Sequence, residues 1–188
     1  MKYFWLEKEI TYDGSQLKPL FSYMNAGPSG DSIVAWQGPC NVPLHNMVDG
    51  EDRRELAKIS SDKMLHFIVE KFPANLSFAV AAQRLLAGQA LERLRELCTD
   101  KSIAFALTRA GDDIWLSKKK LSISIATVSQ ISSLIHFAIN ISNEGTPVET
   151  LSLGDLKIEP ISFAKILMQS FSREMDELDF ATQKVFPV

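Results

Sequence analysis

The segment "NLSFAVAAQRLLAGQALERLREL" (75–97) limits the choice of fold more than any other part of the chain. Apolar residues at 76, 80, 87, 91 and 94, with 79, 86, 90 and 97 beside them, form a stripe at helical spacing. Asn75 suits the N-cap. A Gly inside a helix costs about 1 kcal/mol relative to Ala, so Gly88 is read as a place of close packing on a sheet. A helix with one apolar face has to bury it against another layer. The segments on either side of it supply strands rather than helices.

On its N-terminal side, "KYFWLEKEI" (2–10), "SIVAWQ" (32–37) and "MLHFIVEKF" (64–72) are rich in β-branched and aromatic residues and read as strands. "LKPLFSYM" (17–24) is a further apolar stretch, and "NAGPSGD" (25–31) reads as a loop. "GPCNVP" is expected to end the strand before it, because proline does not suit a central strand. Residues 44–63 read as a loop with one helical turn. On the C-terminal side, "SIAFALTRA" (102–110), "DIWLSKKKLSISIATVS" (113–129) and "SSLIHFAINIS" (132–142) read as strands, the middle one as a hairpin or two strands. A second amphipathic helix is expected over 162–185. The order strands, helix, strands, helix implies an α+β fold: a mixed, mostly antiparallel sheet with flanking helices. At 188 residues the chain is expected to form a single domain, 1–188.

Composition narrows the function. A net charge of −3 offers no basic field for nucleic acid, so an anion would need a local cation cluster. No run of 18 apolar residues exists to cross a membrane, and "MKYFWLEKEI" carries charge too early for a signal peptide. The cytoplasm is the expected location. Cys40 and Cys98 are then read as free thiols.

The cation cluster is Lys118, Lys119 and Lys120, with Asp112 and Asp113 across an expected turn at Ser117. In an extended strand Lys118 and Lys120 share a face. Such a cluster can be a solvated hairpin tip. It can also be a site, because Leu121, Ile123 and Ile125 alternate with Ser122, Ser124 and Ala126. That pattern places the apolar side in the core and small hydroxyls toward a ligand. A lysine at the head of the strand would neutralise a phosphate or carboxylate.

These residues carry a resemblance. "DDIWLSKKKLSISIATVS" resembles the hairpin and lysine strand of the biotin-protein ligase and lipoate ligase superfamily, which has a class II synthetase-like fold. "HFAINIS" (136–142) resembles the next strand, which reads Phe-Ala-Leu-Asn-Val in octanoyltransferases. The resemblance puts Asp113 on the family's aspartate, Lys120 on its lysine, and Phe137, Ala138 and Asn140 on the asparagine strand. It implies a small-molecule carboxylate or acyl ligand, with Lys120 serving carboxylate activation or acyl transfer. The chain departs from the family in two places. The Gly-Arg-Gly-Arg phosphate loop is absent, although ATP is the cofactor the resemblance would bring. "GTPVETLSLGDL" has no cysteine where octanoyltransferases carry their nucleophile. A non-catalytic sensing or protein-interaction module with the same fold is therefore the alternative. Nearly end to end, "YDGSQL", "GDSIVAWQGPC" and "MLHFIVE" resemble a family of uncharacterised proteins, a domain of unknown function.

Other residues enter as candidates. Cys40 sits in a loop-like "QGPCNVP" and would be a nucleophile if a nearby cation or His45 lowered its pKa; otherwise it is a small buried hydrophobe. His45, His66 and His136 could join Cys40 and acids in a zinc site. They lack tight ligand spacing, so no metal is expected and the two strand histidines read as core or pocket wall. His136 is kept as a ligand contact. So are Ser15 and Gln16 in the Asp-Gly turn, and Gln37 and Gly38 at a strand end. No nucleic-acid or membrane partner is expected, and a homodimer is left open.

Overall fold

The computed structural model describes residues 1–27 and 29–186. The chain runs β1 (Lys2–Trp5), α1 (Phe21–Ala26), β2 (Ser32–Val42), α2 (Gly50–Glu55), β3 (Ile59–Lys71) and α3 (Leu76–Leu97). It continues through α4 (Lys101–Ala106), β4 (Leu107–Ala110), β5 (Asp113–Leu116), β6 (Lys119–Lys120), β7 (Ser122–Val128), β8 (Ser133–Asn140) and α5 (Pro160–Gln183). The main sheet has the order β1-β2-β3-β8-β7, and β4-β5-β6 form a small second sheet. Among the named strand pairs of the described residues only β1–β2 is parallel. This is the mixed, mostly antiparallel α+β architecture.

Strand alternation divides the main sheet into two faces. Ile33 and Ala35, Leu65 and Phe67, and Phe137 and Ile139 share a core with Leu86 and Leu94 of α3 and Leu167 and Phe171 of α5. The opposite face presents Val34, Trp36, Met64, Ile68 and Ala138. Phe21 of α1 and Tyr12 cover one end of that face. The remainder of it forms the wall of a cleft.

The long helices start where expected. Asn75 caps α3 by accepting the Phe78 N–H at 2.9 Å, and Glu159 caps α5. Gly88 has open space around it, so it does not mark close packing. Four other expectations change. The strand expected over 2–10 stops at Trp5, and residues 6–12 follow β2 only through single backbone bonds such as Leu6 N–H to Ala35 C=O. Phe21–Ala26, inside the apolar stretch 17–24 and the loop 25–31, is helical; Pro28 of that loop lies outside the described residues. β2 does not stop at "GPCNVP" but runs to Val42, because a register shift between Gly38 and Cys40 accommodates Pro39. The strand expected over 102–110 is α4 followed by β4. Asp100 accepts the Ser102 and Ile103 N–H groups, and this cap starts a helix where Ile103, Phe105 and Leu107 alternate like a strand.

Candidate functional site

The cleft, about 770 Å³ in volume, lies between the β5–β6 hairpin, α2, the 146–150 segment and the sheet face away from the long helices. The hairpin turns at Ser117, whose φ is 56°, and pairs Trp115 with Lys120. That turn returns the chain so that Lys120 Nζ meets Asp113 Oδ2 at 2.7 Å and sits 5.5 Å from the centre of the Trp115 ring. The lysine and aspartate side chains retain 29% and 24% exposure, so the pair is reachable from the cleft yet partly desolvated. Burial pushes the Asp113 carboxyl above the usual carboxylate range; Lys120 opposes this, and Asp112 and Asp52 add to it. Asp52 is raised by burial and by Asp49, again against Lys120. Asp49 caps α2 through the Glu51 and Asp52 N–H groups, which fixes the first turn of that helix at the cleft edge.

Asn140 holds the head of the site together. Its Nδ2 donates to the Lys120 carbonyl at 3.3 Å and to the Leu151 carbonyl at 3.2 Å. The Leu151 N–H also donates to the Lys120 carbonyl. The Lys120 backbone is thus tied to the end of β8 and to the strand-like segment that follows the 146–150 rim. Lys118 lines the cleft as well, whereas Lys119 turns to Glu149 at 3.1 Å.

The floor is apolar and aromatic. Ile123 and Ile125 of β7, Met64 of β3 and His136 of β8 line it, with Tyr12 at one end. Tyr12 stacks on His136 with centroids 3.6 Å apart and an interplanar angle of 7°. His136 meets His66 at 3.1 Å, Nε2 to Nδ1, and His66 Nε2 donates to the Gly38 carbonyl at 3.1 Å. Burial holds both imidazoles below their ordinary range, His66 at about 4.

Asp113, Lys120, His136 and Asn140, all singled out from the sequence, line the cleft; Ser124 borders it, but its side chain turns to the helix side. The other candidates do not line it. Ser15 and Gln16 satisfy their own turn: Ser15 N–H bonds Asp13, and Gln16 bonds the Thr11 carbonyl and the Asp13 N–H. Gln37 pairs with Leu65, which places it on the helix side of the sheet. A Cβ on Gly38 would lie 2.1 Å from the Ile10 carbonyl oxygen, so that position serves chain packing. Cys40 is 2% exposed among Tyr12, Trp36 and Met64, and burial pushes its thiol up to about 12. This is the opposite of what a nucleophile needs, so Cys40 is a core residue.

The serine strand is a further correction. The alternation breaks at Leu121 and restarts at Ser122, so Ser122 and Ser124 pair with Ile139 and Phe137 on the helix side. The isoleucines face the cleft instead. The Ser122 hydroxyl accepts the Ile114 N–H, and Ser124 donates to the His136 carbonyl. Gln83 of α3, 5% exposed, explains why hydroxyls are tolerated there: its Nε2 donates to Ser124 at 2.9 Å and to Asp112 at 2.7 Å. Tyr12, Trp115 and Gln83 were not picked out from the sequence, and Asp52 entered only as one acid of a possible zinc site. A glutamine inside the apolar stripe of α3 was the one readable signal among them.

Six carboxylates and three lysines line the cleft. Among the described residues no group of three or more His, Cys, Asp or Glu is placed to hold a metal ion. No helix there is long and apolar enough to cross a membrane. Both cysteines are free.

The sheet order, the helices packed on one face and the hairpin-capped cleft on the other define a biotin/lipoate ligase-like fold. Solved structures agree. The biotin protein ligase of Aquifex aeolicus in complex with biotin and ATP superposes with a TM-score of 0.61 at 12% identity, over 94% of this chain and 71% of that one. A putative lipoate protein ligase of T. acidophilum with bound lipoic acid gives 0.55 at 14% identity, over 92% and 84%. At such identities the likeness concerns the fold alone. The chain belongs to the family described as a domain of unknown function, DUF366, whose model matches residues 1–186. A protein of unknown function from Pyrococcus horikoshi has the same structure throughout, with a TM-score of 0.89, 36% identity and full coverage of both chains. An uncharacterised protein of Methanocaldococcus jannaschii is 30% identical over 197 residues, covering 100% of this chain and 86% of that protein.

Proposed function

We propose that the cleft binds a small carboxylate or acyl compound and that Lys120 grips its charged end, for carboxylate activation or acyl transfer. The observation that carries this reading is the Lys120–Asp113 pair, 2.7 Å apart, at the head of an otherwise apolar floor. An apolar tail fits Ile123, Ile125 and Met64, while the ammonium meets the acid. A partly desolvated ammonium makes a charge-assisted hydrogen bond worth about 1.5–3 kcal/mol. Asp113 keeps that ammonium oriented when the cleft is empty.

A second reading is non-catalytic ligand sensing. The surplus of carboxylates over lysines and the missing glycine-rich loop support it, because a bare triphosphate would be repelled from such a lining. The two readings share the acid site and differ over nucleotide.

Calorimetry with octanoate, lipoate and biotin, each with and without ATP and Mg²⁺, tests both. At least one acid is expected to bind, and Lys120→Ala is expected to weaken it ten- to a hundredfold while the melting temperature stays within a few degrees. Release of pyrophosphate with ATP present selects activation, and binding without turnover selects sensing. Unchanged affinity in Lys120→Ala would reject the site.

A further inference from the structure

The head of the cleft is rich in negative charge for a site that takes an acid. Lys120 Nζ already meets Asp113 Oδ2 at 2.7 Å. Asp112, the residue before it, also lines the cleft, and its Oδ2 accepts from Gln83 Nε2 at 2.7 Å. Gln83 is 5% exposed and its Nε2 donates to Ser124 as well, so the Asp112 carboxylate is held in place from α3. Asp49, Glu51 and Asp52 of α2 and Glu149 of the rim complete the negative lining, against Lys58, Lys118 and Lys120. His136 on the floor adds no positive charge, because burial holds its imidazole well below its ordinary range. A ligand carboxylate at Lys120 therefore sits as a second anion beside Asp113 on one ammonium. When two carboxylates share one site, one of them is driven to take a proton. Asp113 is already disposed to do so: burial, Asp112 and Asp52 push its carboxyl up, and Lys120 opposes them. The ligand draws on that one opposing interaction.

We propose that the cleft binds its acid together with a proton: as the ligand carboxylate takes Lys120, Asp113 changes from carboxylate to carboxylic acid and donates its new O–H to a ligand oxygen. This rests on the acid site at Lys120 and adds how that site is regulated. The proton comes from solvent, and the O–H on Asp113 is the one covalent bond formed. The Lys120–Asp113 ion pair is exchanged for a Lys120–ligand ion pair and a carboxyl-to-carboxylate hydrogen bond, which is of the strong, charge-assisted kind. The negative charge brought by the ligand is cancelled by the proton, so the crowded head gains no net charge. Wherever the complex holds one proton more than the free protein, affinity gains about tenfold for each pH unit of acidification. At high pH Asp113 keeps the ammonium and competes with the ligand. At lower pH it yields the ammonium and becomes part of the grip.

Octanoate and 1-octanesulfonate are the probes, because the sulfonate stays ionised at every pH used and any proton taken up with it goes to the protein. Calorimetry at pH 7.5 and 6.5, in two buffers of different ionisation enthalpy, reads both affinity and proton uptake. Both ligands are expected to bind about tenfold tighter at pH 6.5, with close to one proton taken up. Asp113→Asn, uncharged at either pH and still a donor, should bind each ligand equally at the two values and tighter than wild type at pH 7.5. Equal wild-type affinity at the two pH values, or a pH dependence that survives Asp113→Asn, overturns the proposal and leaves the Lys120 site standing. A dependence seen with octanoate alone puts the proton on the ligand and overturns it too. Should Asp113→Asn fail to fold, carboxyl ¹³C resonances of the wild-type aspartates replace it. Saturating octanoate at pH 7.5 is expected to move the Asp113 resonance to the position of a protonated acid, and an unmoved resonance overturns the proposal. No binding of either ligand at either pH sinks the Lys120 site and this proposal with it.

Discussion

Lowering the pH should weaken the fold through the buried histidine pair, by an amount that the structure sets. His66 is fully enclosed and is held at about 4, against an ordinary value of 6.5. That difference corresponds to about 3 kcal/mol. In this range the unfolded chain takes up the proton first, so the contribution is complete above about pH 7.5 and is lost as pH falls through 6.5 toward 4. For His66 alone, about 1 kcal/mol should be gone at pH 5.5 and about 2–3 kcal/mol at pH 4.5. His136, lowered in the same direction by burial and by His66, adds to the loss. Asp113 and Asp52 act in the opposite sense, because their raised values let the folded chain protonate first as pH drops. Urea denaturation at pH 7.5, 6.5 and 5.5 stays above most of that offset, and Asp113→Asn repeats the series without the Asp113 share. The unfolding free energy is expected to slip by under about 1 kcal/mol between 7.5 and 6.5 and to fall by at least about 1 kcal/mol in all by 5.5. A flat profile over that span, or a rise, would refute the neutral, buried histidine pair.

Three further outcomes follow from the same geometry. Gly38→Ala should cost at least about 2 kcal/mol in a melt or urea titration, because the new Cβ meets the Ile10 backbone oxygen at 2.1 Å and that segment is pinned by the Trp36 Nε1 bond to the same carbonyl. Asn140→Ala should cost about 1–3 kcal/mol by leaving the Lys120 and Leu151 carbonyls short of a donor, and it should weaken acid binding as Lys120 loses its anchor. Cys40, pushed up to about 12, should resist iodoacetamide at pH 8 until denaturant is added; labelling of the native protein at the rate of a free small thiol would contradict its burial.

The architecture was legible wherever local pattern and tertiary environment agree. The stripe and cap of α3, the apolar runs of β3 and β8, and the amphipathic α5 form the elements expected of them. The α4 region misleads because Ile103, Phe105 and Leu107 alternate, and only the Asp100 cap signals a helix turn. Phe105, 88% exposed, shows that the alternation is not a buried face. The Lys120–Asp113 pair could be read because both partners sit in one short hairpin, where sequence distance is spatial distance. The side-chain direction of Ser122 and Ser124 could not, since a single break at Leu121 reverses the parity of all that follows. Tyr12, Asp52 and Gln83 reach the site from three elements far apart in the chain, and their approach is created by the sheet order rather than by any local pattern.

The account stands or falls on what Lys120 holds. The most direct measurement is a crystal structure with the tightest-binding acid of the calorimetric series. The carboxylate is expected about 2.7–3 Å from Lys120 Nζ, with the apolar body along Ile123 and Ile125. An acid bound elsewhere, with the Lys120–Asp113 contact undisturbed and no ligand atom near the ammonium, would contradict it.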